Sequence, residues 1–279
     1  MGYQSLPPKR QGGSRVRDIL GAMMSDTNAP QEPALWPMAW PLPLGVHAVC
    51  STRLGGVSQP PFDSLNLGDH VQDQPNAVAA NRAIFHSQLG GAQPIFLKQV
   101  HGTHLVTLDA TSVDGLEADA CITRSSNLAC TIMVADCLPL LFTDESGLVV
   151  AAAHAGWRGL AQGVIEKTVQ AVCAAAQVPP SHVLAWLGPC IGPEAFEVGQ
   201  EVKEALKAPD FFKPHPVHAN KWLADLAGMA RSRLTAMGLR SISGNDSSTQ
   251  WCTVSQPSRL FSYRRDGSTG RFAVSIWRS

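Results

Sequence analysis

The sequence predicts a single domain of mixed α/β class. Apolar, strand-like runs alternate with segments of helical periodicity, no convincing linker separates them, and no internal repeat is present. At 279 residues, 44% of them hydrophobic and 16% charged, the chain carries enough apolar material for a sizeable core.

Residues 30–43 are rich in proline and tryptophan and read as an extended lead-in on the surface. Residues 46–52 read as a strand, and Gly55-Gly56-Val57-Ser58 as a tight turn. Pro75, the apolar spacing of Val78, Phe85 and Leu89, and the Gly90-Gly91 stop predict a helix over 75–89. Buried strands are predicted at 95–100 and 128–135, followed by strands at 138–142 and 148–153. The chain then turns through glycines into a helix from near Leu160, whose apolar face is Val164, Ile165, Val169 and Val172. A strand at 183–187, helices at 198–206 and 222–237, and a half-buried strand at 271–277 complete the expectation.

Charge narrows the function. With 22 basic and 22 acidic residues and no long block of either, no field draws the chain to nucleic acid or anionic membrane. No apolar run is long enough to span a bilayer, and no protein partner is evident. Seven scattered cysteines without a CxxC pair point to a reducing, cytoplasmic setting. The basic N-terminal residues lack a signal-peptide core, and residues 1–40 read as a disordered or extended tail in which Met23 or Met24 is a candidate start. Gly2 does not open a myristoylation motif, because position 6 is Leu.

Three short segments each deliver a metal-binding side chain: Lys98-Gln99-Val100-His101-Gly102, Ala135-Asp136-Cys137 and His154-Ala155-Gly156-Trp157-Arg158-Gly159. Each candidate ligand ends a strand-like run, where side chains from separate elements can converge at one sheet edge. Two imidazoles and a thiolate give a zinc ion three protein ligands and an open fourth position, the count of a catalytic site. Their separations, 36 and then 17 positions, form no compact motif, so spacing by itself fits three unrelated core or loop residues better than a site. His104 is a rival for His101, although in an extended strand the two face opposite ways. His70, His86, His215 and His218 read as ordinary surface or loop residues. Copper also accepts a His-His-Cys set, but no His-x-His pair of the multicopper type occurs anywhere, which favours zinc. A different chemistry fits the same residues: Cys137 as nucleophile, His154 as its base and His101 as an orienting or oxyanion group. Candidate anion and substrate binders are Arg158 beside a helix start, Arg53 next to the glycine turn, Asn66 in Ser64-Leu65-Asn66-Leu67-Gly68, and Arg264 and Arg265 near the C-terminus.

These segments, together with Thr52-Arg53-Leu54-Gly55-Gly56-Val57-Ser58, Leu187-Gly188-Pro189-Cys190-Ile191-Gly192 and Tyr263-Arg264-Arg265-Asp266-Gly267, resemble in order the signature blocks of the YfiH-like, laccase-domain (polyphenol oxidase) family of purine nucleoside phosphorylases. The resemblance runs from about residue 45 to the C-terminus. It implies that residues 41–279 form one catalytic domain, an αββα sandwich of the kind shared with cysteine-hydrolase-like toxin domains. It further implies one zinc ion on His101, Cys137 and His154, and phosphorolysis of adenosine, inosine, guanosine and methylthioadenosine, with adenosine deamination besides. Copper-dependent polyphenol oxidation and editing of cell-wall peptide precursors are alternatives attached to the same family. A scaffold protein with a purely structural zinc is a third reading.

Overall fold

The computed structural model describes residues 1–2 and 35–279; most of the expected tail, with Met23 and Met24, lies outside the described residues. In chain order the elements are β1 (Val46–Cys50), α1 (Pro75–Ser87), β2 (Gln93–Phe96), β3 (Leu105–Thr107), β4 (Ala120–Thr123), β5 (Leu128–Val134), β6 (Leu138–Asp144) and β7 (Val150–Ala155). There follow α2 (Trp157–Ala161), α3 (Val164–Ala176), β8 (Val183–Leu187), β9 (Glu197–Val198), α4 (Gln200–Leu206), β10 (Phe212–Pro214), β11 (Trp222–Ala224), α5 (Leu226–Ala236), β12 (Ser241–Gly244), α6 (Tyr263–Asp266) and β13 (Phe272–Arg278).

The strands form a mixed sheet ordered β1-β13-β5-β2, a mixed sheet ordered β12-β8-β6-β7-β4-β3, and a small antiparallel β10-β11-β9 ribbon. The two larger sheets pack face to face, and strict alternation within the strands explains why. Cys130, Ile132 and Val134 of β5, with Val274 and Ile276 of β13, meet Leu141 of β6, Val150 and Ala152 of β7 and Trp186 of β8 in one buried cluster. The residues between them face outward: Ala129, Met133, Ala273 and Trp277 pack under Phe85 of α1. Leu140, Phe142, Ala151 and Ala153 pack under Val164, Ile165, Val169 and Val172 of α3 and under α5. Strands buried on both faces read as continuous apolar runs, which is how β5 to β8 appear in the sequence. The layers are helix, sheet, sheet, helix, as the resemblance implied.

Several boundaries differ from expectation. The lead-in is not confined to the surface: Trp36 and Trp40 are buried, with Trp36 against Trp251 and Trp40 stacked on Trp186. The tryptophans carry too much apolar area to remain in water, so residues 35–40 pack with the domain core. The helix expected over 222–237 begins only at Leu226, where Asp225 accepts from the Gly228 amide as an N-cap, and Trp222–Ala224 pairs as a strand. Likewise α4 begins at Gln200 rather than 198. The strand expected over 95–100 ends at Phe96, so His101 sits in a loop.

The topology positions the site. The β2–β3 loop and the Ala135–Cys137 turn both carry the chain from the four-stranded sheet to the six-stranded one. His101 lies on the first crossing and Cys137 on the second, while His154 lies near the end of β7. The same end of the sandwich receives the start of β13, since Phe272 pairs with Val134.

Candidate metal centre and substrate cavity

One ligand atom from each of His101, Cys137 and His154 lies within 4.8 Å of the others. One ion with bonds of about 2.0–2.3 Å bridges nearly that span. The imidazoles meet edge-on, with centroids 4.9 Å apart. His154 is buried, whereas His101 faces the cavity. Both residues flanking the crossings adopt left-handed backbone: His101 at φ +62° and Asp136 at φ +101°. Such conformations cost free energy in residues with a Cβ and persist only where surroundings over-determine them. Asp136 shows how. Its carboxylate accepts from the Thr253 hydroxyl at 2.5 Å and the Arg264 amide at 2.6 Å, and its carbonyl accepts from the Ile191 amide at 2.8 Å.

Asp119, which the sequence reading did not single out, ties two of the ligands together. It is fully buried, and its carboxylate accepts from the amides of His101 at 2.9 Å and Gly102 at 2.6 Å and from His154 Nδ1 at 2.8 Å. Its carbonyl accepts from the His154 amide at 2.7 Å. Because Nδ1 of His154 is held by a carboxylate, its Nε2 lone pair is the one left for a metal, the outer-shell arrangement of metal-binding histidines. Burial raises the Asp119 carboxyl, but the hydrogen bonds from His154 and Gly102 outweigh it and hold the group below its ordinary value. Burial also pushes the Cys137 thiol up; the charge of His154 and hydrogen bonds from both histidines overturn that and bring it down to about 6. For His154 burial disfavours the charged ring, yet Cys137 and Asp119 together raise it to about 9. Without a metal the pair is therefore thiolate and imidazolium near neutrality.

The donor chemistry and the space both fit a metal. A Cβ at Gly156 would come to 2.9 Å from His101 Cδ2 and 3.0 Å from Cys137 Sγ, so only glycine lets β7 turn into α2 beside the ligands. His104, the rival, stands outside the group and bonds the Glu117 carbonyl through Nδ1 at 2.9 Å.

The three residues line a cavity of about 490 Å³, the size of small-molecule sites. Trp157, Phe196 and Tyr263 give it aromatic walls, and besides the three candidate ligands His70, Asp136, Arg264 and Arg271 are charged or titratable residues of its lining. Of the five candidate anion and substrate binders, only Arg264 lines it. Arg53 is engaged elsewhere: Nε and Nη1 donate to the carbonyls of Asp63 and Pro257, and the guanidinium stacks on Phe261. Asn66 is fully buried and bonds Gly68, Asp73 and the Arg271 amide. Arg158 is exposed, does not line the cavity, and stacks on the Trp157 ring at 4.3 Å. Arg265 braces the carbonyls of Thr253, Val254 and Leu260. His70 and Arg271 were missed because a lone histidine in a polar loop and the first residue of a strand carry no local signal.

Among the described residues a second group, Glu197, His215 and His218, also brings three potential ligand atoms within 4.8 Å. Here His215 Nδ1 accepts from the amides of Val217 and His218, so Nε2 carries the proton that it shows to Glu197 at 3.2 Å.

Comparison with known proteins agrees with this architecture. Residues 47–279 match the family model described as multi-copper polyphenol oxidoreductase laccase, and the chain belongs to that family. It is 47% identical over 241 residues to the purine nucleoside phosphorylase YfiH of Escherichia coli K12, covering 85% of this chain and 96% of that protein. It is 49% identical over 243 residues to the purine nucleoside phosphorylase PA4543 of Pseudomonas aeruginosa, with the same coverage. Among solved structures, protein NMB0706 of Neisseria meningitidis superposes with a TM-score of 0.79 at 42% identity, over 89% of this chain and all of that one. YlmD of Geobacillus stearothermophilus gives 0.77 at 30% identity, over 88% and 99%. No helix among the described residues is long and apolar enough to cross a membrane.

Proposed function

We propose that the chain is a zinc-dependent purine nucleoside phosphorylase that also deaminates adenosine. The observation that carries this reading is the convergence, in one cavity of about 490 Å³, of a His-His-Cys triad, aromatic walls and arginines; relatives named as purine nucleoside phosphorylases add weight. His101, Cys137 and His154 would hold the ion, which when bound supplies Lewis acidity at neutral pH. The protein's own residues do the rest. Asp119 keeps His154 in one tautomer and fixes the His101 loop. Trp157, Phe196 and Tyr263 offer ring faces to a planar base. Adenosine, inosine, guanosine and methylthioadenosine share that base and a ribosyl bond, so they form the expected substrate class. Phosphorolysis breaks the bond with inorganic phosphate; deamination exchanges the 6-amino group of adenosine for oxygen from water. Free, unpaired cysteines throughout the described chain suit a reducing cytoplasm.

The test is direct. Protein purified without added metal, assayed for zinc and copper and incubated with inosine or adenosine plus phosphate, should contain zinc and release free base. Zinc-loaded protein that releases no base from any purine nucleoside contradicts the phosphorylase; failure to form inosine from adenosine without phosphate contradicts the deaminase.

A second reading has its own observation. Asp119, His154 and Cys137 form a carboxylate–imidazole–thiolate relay with a thiol brought down to about 6, which is the logic of a cysteine hydrolase acting on peptide precursors. Metal content separates the two, since a metal-free enzyme that turns over peptides and is inactivated by iodoacetamide favours the thiol.

A further inference from the structure

Two guanidiniums in the cavity, those of Arg264 and Arg271, keep an edge with no partner among the described residues, and Arg271 is the more buried of the two. Its Nη1 donates to the carbonyls of Thr269 and Gly270, each at 3.0 Å, which fixes the group against its own chain. Nε and Nη2, the edge that grips oxyanions side-on with two parallel hydrogen bonds, have no protein partner among the described residues. No carboxylate lies within ion-pair distance of it there either, whereas the half-buried Arg53, Arg82 and Arg265 each pair with one.

The surroundings hold this residue in place. Asn66 Oδ1 accepts from the Arg271 amide at 2.8 Å, and the Arg271 carbonyl accepts from the Leu67 amide at 3.0 Å. A Cβ at Gly68 would come to 2.8 Å from Arg271 Cγ, so the Ser64–Gly68 segment is shaped around the stem of this side chain. The segment chosen from the sequence for Asn66 therefore acts at one remove, by seating an arginine 205 positions away. His70 lines the same cavity, and after burial the charge of Arg271 is the next cause lowering its pKa. Burial disfavours the Arg271 cation, and the charges of Cys137 and Asp136 that offset it lie beyond ion-pair distance, so an anion seated on the free edge is favoured.

We propose that the Nε–Nη2 edge of Arg271 binds free inorganic phosphate inside the metal-bearing cavity, with His70 beside it. The proposal deepens the phosphorylase reading and rests on it for its catalytic meaning. The bound hydrogen phosphate supplies the oxygen that bonds to C1′ of the ribose; the C1′–N9 bond breaks with its electron pair going to the purine, and the phosphate hydrogen ends on the released base.

Calorimetric titration of the zinc-loaded protein with inorganic phosphate tests it without turnover. The wild type should bind phosphate, Arg271→Met should bind about ten- to a hundredfold more weakly, and Arg271→Lys should fall between because it keeps charge but loses the fork. Zinc content and the affinity for inosine in the absence of phosphate should be unchanged in both variants, which separates lost binding from lost folding. Adenosine 5′-monophosphate is the second probe: a wild type that binds the nucleotide but not inorganic phosphate overturns the proposal. So does equal phosphate affinity in wild type and Arg271→Met. The two readings fail separately. Phosphate binding that depends on Arg271 in a protein releasing no base leaves the anion site standing and removes the phosphorylase. Base release with an unchanged KM for phosphate in Arg271→Met does the reverse.

Discussion

Two clusters in this molecule bring three potential metal ligands within the same 4.8 Å, yet they are wired in opposite senses. In the His101, Cys137 and His154 group, the supporting bonds come from behind. Asp119 takes Nδ1 of His154 and the backbone of the His101 loop, Asp136 braces the turn before Cys137, and the lone pairs face one another. In the Glu197, His215 and His218 group, the ring nitrogens are already committed: His215 Nδ1 accepts from its own loop, and His218 Nδ1 lies 2.5 Å from Glu197. In that second group His218 is exposed, and its ring stacks on that of His215 with centroids 4.4 Å apart. Proximity of donors alone does not make a metal centre. A buried partner that fixes the tautomer, and an open face directed at a cavity, do.

Breaking the first cluster should have the largest effect. His154→Ala removes a ligand and leaves the Asp119 carboxylate buried without its imidazole. It should abolish zinc retention and lower stability by about 3–5 kcal/mol, read by metal analysis and urea denaturation. Asp119→Asn keeps the volume but weakens the support of His154 and the His101 loop. Zinc affinity should drop about 10–100-fold, measured by competition with a chromophoric chelator. An affinity equal to the wild type's would show that Asp119 serves the fold alone.

The pH dependence sharpens the same contrast. With Cys137 at about 6 and His154 at about 9, the metal-free pair holds one proton between those values, two below and none above. The metal-bound pair holds none. Zinc binding should therefore release one proton from this pair across that window, and affinity should rise roughly tenfold per pH unit from 6 to 9, flattening above 9 as far as this pair is concerned. A flat profile at neutral pH would exclude the thiolate–imidazolium state. The smallest effect belongs to the second cluster: His218→Ala removes an exposed ion-pair partner and should change stability by less than about 1 kcal/mol, with zinc affinity unchanged.

What was legible in the sequence followed from position along strands. The four central strands announced themselves as doubly apolar runs, and the three ligands stood out because each followed such a run. Asp119 was hidden because a single acid between Ala118 and Ala120 has neither spacing nor context; its role exists only once β4 lies beside β7. Arg271 reads as the first residue of a strand, and nothing local shows that its fork has no partner. Arg53 and Asn66 drew attention for being polar beside glycine turns, but such turns also need polar braces, and that is the use made of them here. The short strands β3, β9, β10, β11 and β12 carried too few residues for periodicity to register. Trp36 and Trp40 misled because proline-rich sequence suggests exposure, whereas two indoles decided the burial.

The central claim is that the buttressed cluster, and not the group of Glu197, His215 and His218, is the metal centre. The most direct measurement is zinc per chain, determined by mass spectrometry of elements on protein purified without added metal, for the wild type, Cys137→Ala and the double variant His215→Ala/His218→Ala. One zinc per chain in the wild type and the double variant, with none in Cys137→Ala, is the predicted result. Zinc retained by Cys137→Ala, or lost from the double variant, would contradict it.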